Sequence, residues 1–360
     1  MIDDWSIRPL GKICDVLDNK RKPITKKNRI EGDIPYYGAT GILSYVEDFL
    51  FDEQLVLLGE DGAKWESGAN SAFIISGKTW VNNHAHVLRP IRTILDDNWL
   101  TYNLNHQNLL PYVSGMTVPK LNQGNMRTIS VPIPPLPEQK RIVAKLDQAF
   151  EAIDKAKANV ERNLQNAKDL FQSELNRIFS QKGEGWVEKK LGECIKLKSG
   201  DGLTAKNMNP EGLYSVYGGN GIAGNHDTYN SEGMQVIIGR VGALCGNVRY
   251  LNEKLWLTDN AFKVSKFYYA FDEAFLTYLL NYKNLRSYAR QAAQPVISNS
   301  STSDVPLEFP LDVEQQKSIV SQLDELKTRT QYFDGLYNQK LDALSELKKS
   351  ILQKAFIGEL

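Results

Sequence analysis

Residues 131–146 read VPIPPLPEQKRIVAKL, and this stretch decides the fold. Pro132, Pro134, Pro135 and Pro137 stiffen the chain and bar a helix ahead of them, because proline lacks an N–H and biases its predecessor away from helical backbone. Glu138 then stands in a first helical turn, where a carboxylate suits the positive helix end. From there to Phe179 the sequence has no proline and no glycine. Ile142, Leu146, Ala149, Ile153, Ala156, Val160, Leu164, Ala167, Phe171, Leu175 and Ile178 recur at steps of three and four. This spacing predicts a heptad seam on one long helix. A helix of about 40 residues spans roughly 60 Å. Gly183 and Gly185 end it.

The same order returns later in the chain. A weakened copy, Val305-Pro306-Leu307-Glu308-Phe309-Pro310-Leu311, precedes Glu314-Gln315-Gln316-Lys317-Ser318-Ile319-Val320. A second seam follows through Ile319, Leu323, Leu326, Phe333, Leu344, Leu347 and Ile351. Gln139/Gln316, Asp147/Asp324, Ser173/Ser350 and Phe179/Phe356 correspond at one fixed offset. The regions ahead of the two helices also match. Trp5 and Leu10-Gly11 are answered by Trp186 and Leu191-Gly192. Tyr37-Gly38-Ala39-Thr40-Gly41-Ile42 is answered by Tyr217-Gly218-Gly219-Asn220-Gly221-Ile222, and Leu58-Gly59-Glu60-Asp61-Gly62-Ala63 by Ile238-Gly239-Arg240-Val241-Gly242-Ala243. Short β-like runs at Gln54–Leu58, Ala72–Ile75 and His86–Leu88, with glycine turns between them, predict strands. Short helices are expected near Asp96–Asn105 and Phe271–Asn281.

The reading is an α+β chain with two tandem α/β modules, residues 1–136 and 186–312, separated by long helices at 137–181 and 313–360. Long helices depend on burying an apolar face, so the simplest partner for each is the other. They would run antiparallel, because the second module must return the chain to the far end. The expectation is a pseudo-two-fold dumbbell with an antiparallel coiled coil.

At 360 residues the chain has room for two cores. Lys plus Arg and Asp plus Glu are both 43, so overall charge gives no support to a nucleic-acid partner and leaves the local distribution to decide. Lys20, Arg21, Lys22, Lys26, Lys27 and Arg29 form a basic run with no acid among them. Such a run is either a solvated loop or a phosphate-contacting one. Cys14, Cys194 and Cys245 fit neither a disulfide scaffold nor a zinc cluster. The start, MIDDWSIRPLG, lacks the apolar region of a signal peptide, and no run of 18 apolar residues offers a membrane span. A reduced, cytoplasmic setting is expected.

No catalytic constellation emerges: there is no GxGxxG opening a βαβ unit and no GxxxxGK[ST]. His84 and His86, two apart, would place both rings on one strand face. The second copy has Asn260 and Phe262 there, so a shared metal site fails. The pair Glu60-Asp61 becomes Arg240-Val241 in the second copy. The glycine frame holds a turn, while the residues it carries differ, which fits either two similar modules recognising different things or drift in a surface turn.

The chain resembles, over essentially its full length, the specificity subunit of type I restriction-modification systems. The marks are the Trp and Leu-Gly starts, the Tyr-Gly-x-x-Gly turns and the duplicated order of module, proline-rich lead and long helix. The resemblance implies a non-catalytic protein whose modules each read one half of a split, asymmetric site in double-stranded DNA. It implies paired helices that act as a ruler and dock two methyltransferase subunits, with restriction subunits in the same prokaryotic assembly. S-adenosylmethionine would belong to the methyltransferase subunits, ATP and Mg to the restriction subunits, and no cofactor to this chain. A spacer of about one half-turn to one turn of DNA is expected between the half-sites, and extrusion of the target adenine belongs to the methyltransferase.

From chemistry and repeat position, Lys20, Arg21, Lys22, Lys26 and Lys27 are candidate phosphate contacts in the first module, with Arg249 and Lys254 in the second. Lys64 and Arg240, on matched glycine-framed loops, are candidates for base edges. Thr40, Asn83, His84, Asn220 and Asn260 are candidate hydrogen-bonding partners. Tyr36, Tyr37 and Tyr217 pack either at the groove or in the core. The alternative is a coiled-coil interaction protein with no DNA specificity.

Overall fold

The computed structural model describes residues 5–115, 117–290 and 294–360, so the first four residues of the N-terminal stretch lie outside it. The chain divides into two compact units, Met1–Glu161 with Asn338–Leu360, and Arg162–Tyr337. Each contains one module and parts of both long helices.

In the first unit the strands are β1 (Ser6–Pro9), β2 (Cys14–Val16), β3 (Ile34–Gly38), β4 (Gly41–Val46), β5 (Phe51–Asp52), β6 (Leu55–Gly59), β7 (Ala72–Ile75), β8 (Lys78–Val81), β9 (Ala85–Pro90) and β10 (Ser130–Ile133). The helices are α1 (Asp97–His106), α2 (Gln123–Arg127) and the start of α3 (Leu136–Ser180). One sheet has the order β2-β9-β6-β7 and is antiparallel throughout; a second has the order β4-β3-β8-β5, with β3 and β8 parallel. The apolar run of β6 is buried along its whole length, as expected of a strand covered on both faces. Asp96 caps α1 by accepting from the amides of Asn98 and Trp99. Strands β1 and β10 form a separate antiparallel pair, Ser6 opposite Ile133, directly ahead of α3.

The second unit repeats this plan. Its strands are β11 (Trp186–Lys190), β12 (Ile195–Ser199), β13 (Tyr214–Gly218), β14 (Gly221–His226), β15 (Met234–Gly239), β16 (Val248–Asn252), β17 (Leu255–Leu257), β18 (Ala261–Phe267) and β19 (Pro306–Pro310). Its helices are α4 (Leu191–Cys194), α5 (Glu273–Tyr282), α6 (Asn299–Thr302) and α7 (Val313–Phe356). The sheet orders are β12-β18-β15-β16 and β14-β13-β17, again with one parallel pair, and β11 pairs with β19. Even the irregularities recur. A register shift falls between Tyr36 and Tyr37 in one module and between Val216 and Tyr217 in the other.

Within each unit the long helices run antiparallel. In the first, Ile142, Leu146 and Ile153 are buried with Leu352 and Ala355, while Leu344 and Ile351 pack on the same core. Lys348 lies over the Phe150 ring, and Arg141 donates to the Leu360 carbonyl at 2.6 Å. In the second, Leu175, Ile178 and Phe179 join Ile319 and Leu323, and Lys168 pairs with Asp334 at 3.2 Å. Val160, Leu164 and Leu326 are half-buried. Phe333 departs from the expected seam: it is 40% exposed, with its ring against Tyr332 and Tyr337. The partly buried stripe on α7 passes through Leu326, Thr330 and Asp334 instead, because a straight helix drifts about 20° per seven residues from a strict heptad. Leu347 is outward for the same reason.

Each module is locked to its long helix by one buried glutamine. Gln139 accepts from the Asp96 amide at 2.9 Å and donates to the Ile94 and Pro134 carbonyls, both at 2.8 Å. Gln316 accepts from the Asp272 amide at 2.8 Å and donates to the Ala270 and Pro310 carbonyls at 3.2 and 2.9 Å. A second tie follows one helical surface further on. The Tyr102 hydroxyl donates to Asp147 and the Tyr278 hydroxyl to Asp324, each at 2.5 Å. Burial first, then the neighbouring carboxylate, holds both phenols well above the usual tyrosine range. Among the described residues, no helix is long and apolar enough to cross a membrane.

Candidate nucleic-acid interface

The two glycine motifs of the sequence meet in space. In the first module the β3–β4 turn, at Ala39-Thr40, lies against the turn that follows β6. A β-carbon on Gly59 would collide with Ala63 and press on the Ala39 carbonyl; one on Gly239 would collide with the Gly219 carbonyl. Only glycine lets the two turns approach this closely. A third segment joins them: the Glu60 amide donates to the His84 carbonyl at 2.8 Å, and the Arg240 amide to the Asn260 carbonyl at 2.9 Å. A fourth closes the cluster, since the Leu121 amide donates to the Glu60 carbonyl and the Ile297 amide to the Arg240 carbonyl. The same four-segment surface is thus built twice.

On the first surface Thr40, Lys64, Asn83 and His84 are exposed. His84 pairs through Nδ1 with Asp61. Lys120 enters this cluster unforeseen, with its ammonium 2.9 Å from Glu60 and 3.8 Å from Asp61. Its partners lie about sixty positions away, and no local pattern marks it. On the second surface Asn220 and Asn260 are exposed and Arg240 and Arg249 are half-exposed. Asn220 is also structural, since its side-chain oxygen accepts from the Leu244 amide at 2.9 Å. Arg249 lies beside Gly221 at the hairpin turn. Lys254 lies over the Tyr229 ring and pairs with Glu232 at 3.7 Å. Tyr36 belongs to the core, whereas Tyr37 is half-buried against Phe73.

The basic run divides into two kinds of residue. Lys20, Lys22, Lys26 and Lys27 are exposed. Arg21, grouped in the sequence with these lysines, turns inward instead. Its side chain is only 12% exposed, pairs with Glu60 and with Asp18 at 3.3 Å, and donates to the Ala85 carbonyl at 2.8 Å. Glu60 belongs to the turn after β6 and Ala85 opens β9, so Arg21 fastens the basic loop to the cluster.

His84 and His86 do not share a face. The chain turns at Asn83-His84, and β9 begins only at Ala85, so the strand alternation does not span both rings. His86 is fully buried, with Nδ1 2.6 Å from Asp18 and Nε2 2.7 Å from the Leu121 carbonyl. Asp18, Glu60 and His86 bring three potential ligand atoms within 4.8 Å of one another. The same carboxylates already face Arg21, Lys120 and the His86 ring, so the arrangement is a closed ion network rather than an open coordination shell. Burial raises the Asp18 and Glu60 carboxyls, and hydrogen bonds from His86 to Asp18, and from Arg21 and Lys120 to Glu60, outweigh it and leave both below the usual carboxylate range. Cys14, Cys194 and Cys245 are free and buried, and burial first of all pushes each thiol up.

Residues 2–162 and 183–339 match the type I restriction modification DNA specificity domain. A putative type I restriction enzyme specificity subunit of Haemophilus influenzae is 36% identical over 144 residues, 40% of this chain and 36% of that protein. The type I restriction enzyme EcoprrI specificity subunit of Escherichia coli is 32% identical over 167 residues, 45% of this chain and 41% of that protein. The match therefore spans less than half the length of either relative. The StySPI specificity subunit of Salmonella potsdam is 25% identical over 350 residues, 86% of this chain and 75% of that protein. Among solved structures, a chain described in work on complex assembly and conformational transition of the type I R-M system superposes with a TM-score of 0.78 at 18% identity, covering 99% of this chain and 98% of that one. The HsdS subunit of Thermoanaerobacter tengcongensis gives 0.60, also at 18% identity, over 100% and 98%. These likenesses establish the fold. Because the specificity-domain match takes in both copies of the loop cluster, the chain belongs to the family of type I restriction-modification specificity subunits.

Proposed function

We propose that this chain is the DNA-reading subunit of a type I restriction-modification complex. The module in residues 1–136 reads one half of a split, asymmetric site in double-stranded DNA, and the module in residues 186–312 reads the other. The helices at 137–181 and 313–360 separate the half-sites and dock two adenine-N6 methyltransferase subunits. Restriction subunits complete the assembly in the prokaryotic cytoplasm. S-adenosylmethionine serves the methyltransferase subunits, and ATP and Mg the restriction subunits. Relatives of this chain are specificity subunits, and it carries the reading function rather than the chemistry.

The observation that supports this reading best is the four-segment surface built twice on one backbone plan but furnished with different side chains. A repeated scaffold with unlike surface groups suits a two-part, asymmetric ligand. Co-expression with methyltransferase subunits of a type I system, followed by single-molecule sequencing of the DNA, tests it. N6-methyladenine in both halves of a split motif is the expected result. A stable complex that methylates no split motif would count against it, and the absence of sequence-selective DNA protection would favour a purely structural coiled-coil protein.

Lys26 and Lys27 serve as phosphate contacts in this reading. Replacing either by alanine is expected to weaken binding to all DNA alike and to reduce the slope of log affinity against log salt by about 0.9. Fluorescence anisotropy across a salt series measures both. A loss confined to one base position would instead make the residue a base reader.

A further inference from the structure

The two modules treat the second residue of the glycine frame in opposite ways. Its backbone is tied identically in both, through the third and fourth segments described above. In the first module the Glu60 side chain is buried and held by Arg21 and Lys120, so it is consumed within the protein. In the second module the same position is Arg240. The residue that replaces His86 there is Phe262, and the Arg240 guanidinium lies over its ring, 5.3 Å from the centroid. One guanidinium nitrogen donates to the Asp259 carbonyl at 3.2 Å. Arg240 makes no ion pair among the described residues, and its buried Nε has no hydrogen-bond partner there.

The buried Nε is turned away from solvent, so the donors left for a ligand are the terminal nitrogens, one of which makes the exposed bond to the Asp259 carbonyl. The aromatic ring below and the carbonyl beside it restrict the side chain, so little freedom remains to lose on binding. The exposed Asn220 and Asn260 flank the same loops. A planar fork with free donors, fixed at the mouth of such a surface, matches the paired O6 and N7 acceptors of guanine. We infer that Arg240 is a specificity-determining residue of the second module and reads a guanine in its half-site, whereas the matched Glu60 contacts no base and positions the first surface from within.

This inference rests on the DNA-reading role proposed above. The test uses the full chain co-expressed with its methyltransferase subunits and compares the methylated motif of wild type with those of Arg240→Ala and Arg240→Lys. In Arg240→Ala one guanine in one half-site is expected to become degenerate, with discrimination falling roughly 5- to 150-fold, while the other half-site stays unchanged. Arg240→Lys keeps the charge but loses the fork, so it should relax the same base while retaining most of the affinity. A motif identical to wild type in both variants overturns the inference, as does uniform loss of methylation with the motif intact, which would make Arg240 a phosphate contact. If Arg240→Ala does not assemble, Arg240→Lys still decides between these outcomes. A wild-type complex that methylates no split motif would fail the DNA-reading role itself, a result separate from any effect of the substitutions.

Discussion

Replacing Gln139 by alanine is expected to destabilise the first unit by about 3–5 kcal/mol, and replacing Gln316 should do the same to the second. Each glutamine is fully buried and makes three hydrogen bonds to backbone groups that belong to different segments. Removing the amide leaves one N–H and two carbonyls facing a cavity that is partly closed to water. An unsatisfied buried group costs about 1–3 kcal/mol, and local relaxation recovers some of the sum. For units of this size the melting temperature should fall by roughly 10 °C, seen in the transition of the affected unit only. Glutamate is not a conservative substitute here, because the two carbonyls would face a carboxylate in place of an NH2 group. A change of less than about 1 kcal/mol for Gln139→Ala would show that the lock is incidental. Differential scanning calorimetry of the single and double variants separates the two units.

Arg21→Ala should produce the second large effect, a loss of about 3–5 kcal/mol from the first unit. The reason is that Asp18 and Glu60 would remain buried with one cation fewer between them; their side chains are only 4% and 9% exposed. Lys22→Ala, one residue away and exposed, should change stability by less than about 0.5 kcal/mol. The acid dependence carries a further signature. Asp18 and Glu60 have lower values in the folded chain than in the unfolded one. Their contribution is therefore complete above the ordinary carboxylate range, near about pH 4, and is lost as pH falls through the folded-state values. Arg21→Ala raises those folded values toward the ordinary range, so its stability should depend less steeply on pH in acid. Urea melts at neutral and acidic pH check both points. Equal stability of Arg21→Ala and wild type, together with a reduced salt dependence of DNA binding, would return Arg21 to the phosphate contacts.

Much of this was legible in the sequence because duplication converts local patterns into shared constraints. The long helices followed from uninterrupted stretches with apolar residues at helical spacing. Gln139/Gln316 and Asp147/Asp324 were visible as pairs at one offset, although nothing in the sequence revealed that they grip the modules. The glycine turns announced close approach, and the structure supplies what approaches. The rest depended on distant partners. Arg21 looks like its lysine neighbours until Glu60, 39 positions away, and the Ala85 carbonyl, 64 away, are placed beside it. His84 and His86 were separated by a strand that begins between them. Phe333 fell off the seam because three- and four-residue steps do not fix which of several apolar residues a straight helix turns inward.

The clasp formed by β1 and β10, and again by β11 and β19, has an evolutionary consequence. Ser6 sits opposite Ile133 and Trp186 opposite Pro310, so each module leaves and rejoins the chain at a pinned base. Lengthening a loop inside such a closed segment costs only slowly growing loop-closure entropy, roughly 0.6 kcal/mol per doubling. It does not alter where the following helix begins or the rotational phase of its apolar face. Insertions, deletions and wholesale exchange of a module can therefore be sampled by selection while the helical scaffold keeps its register.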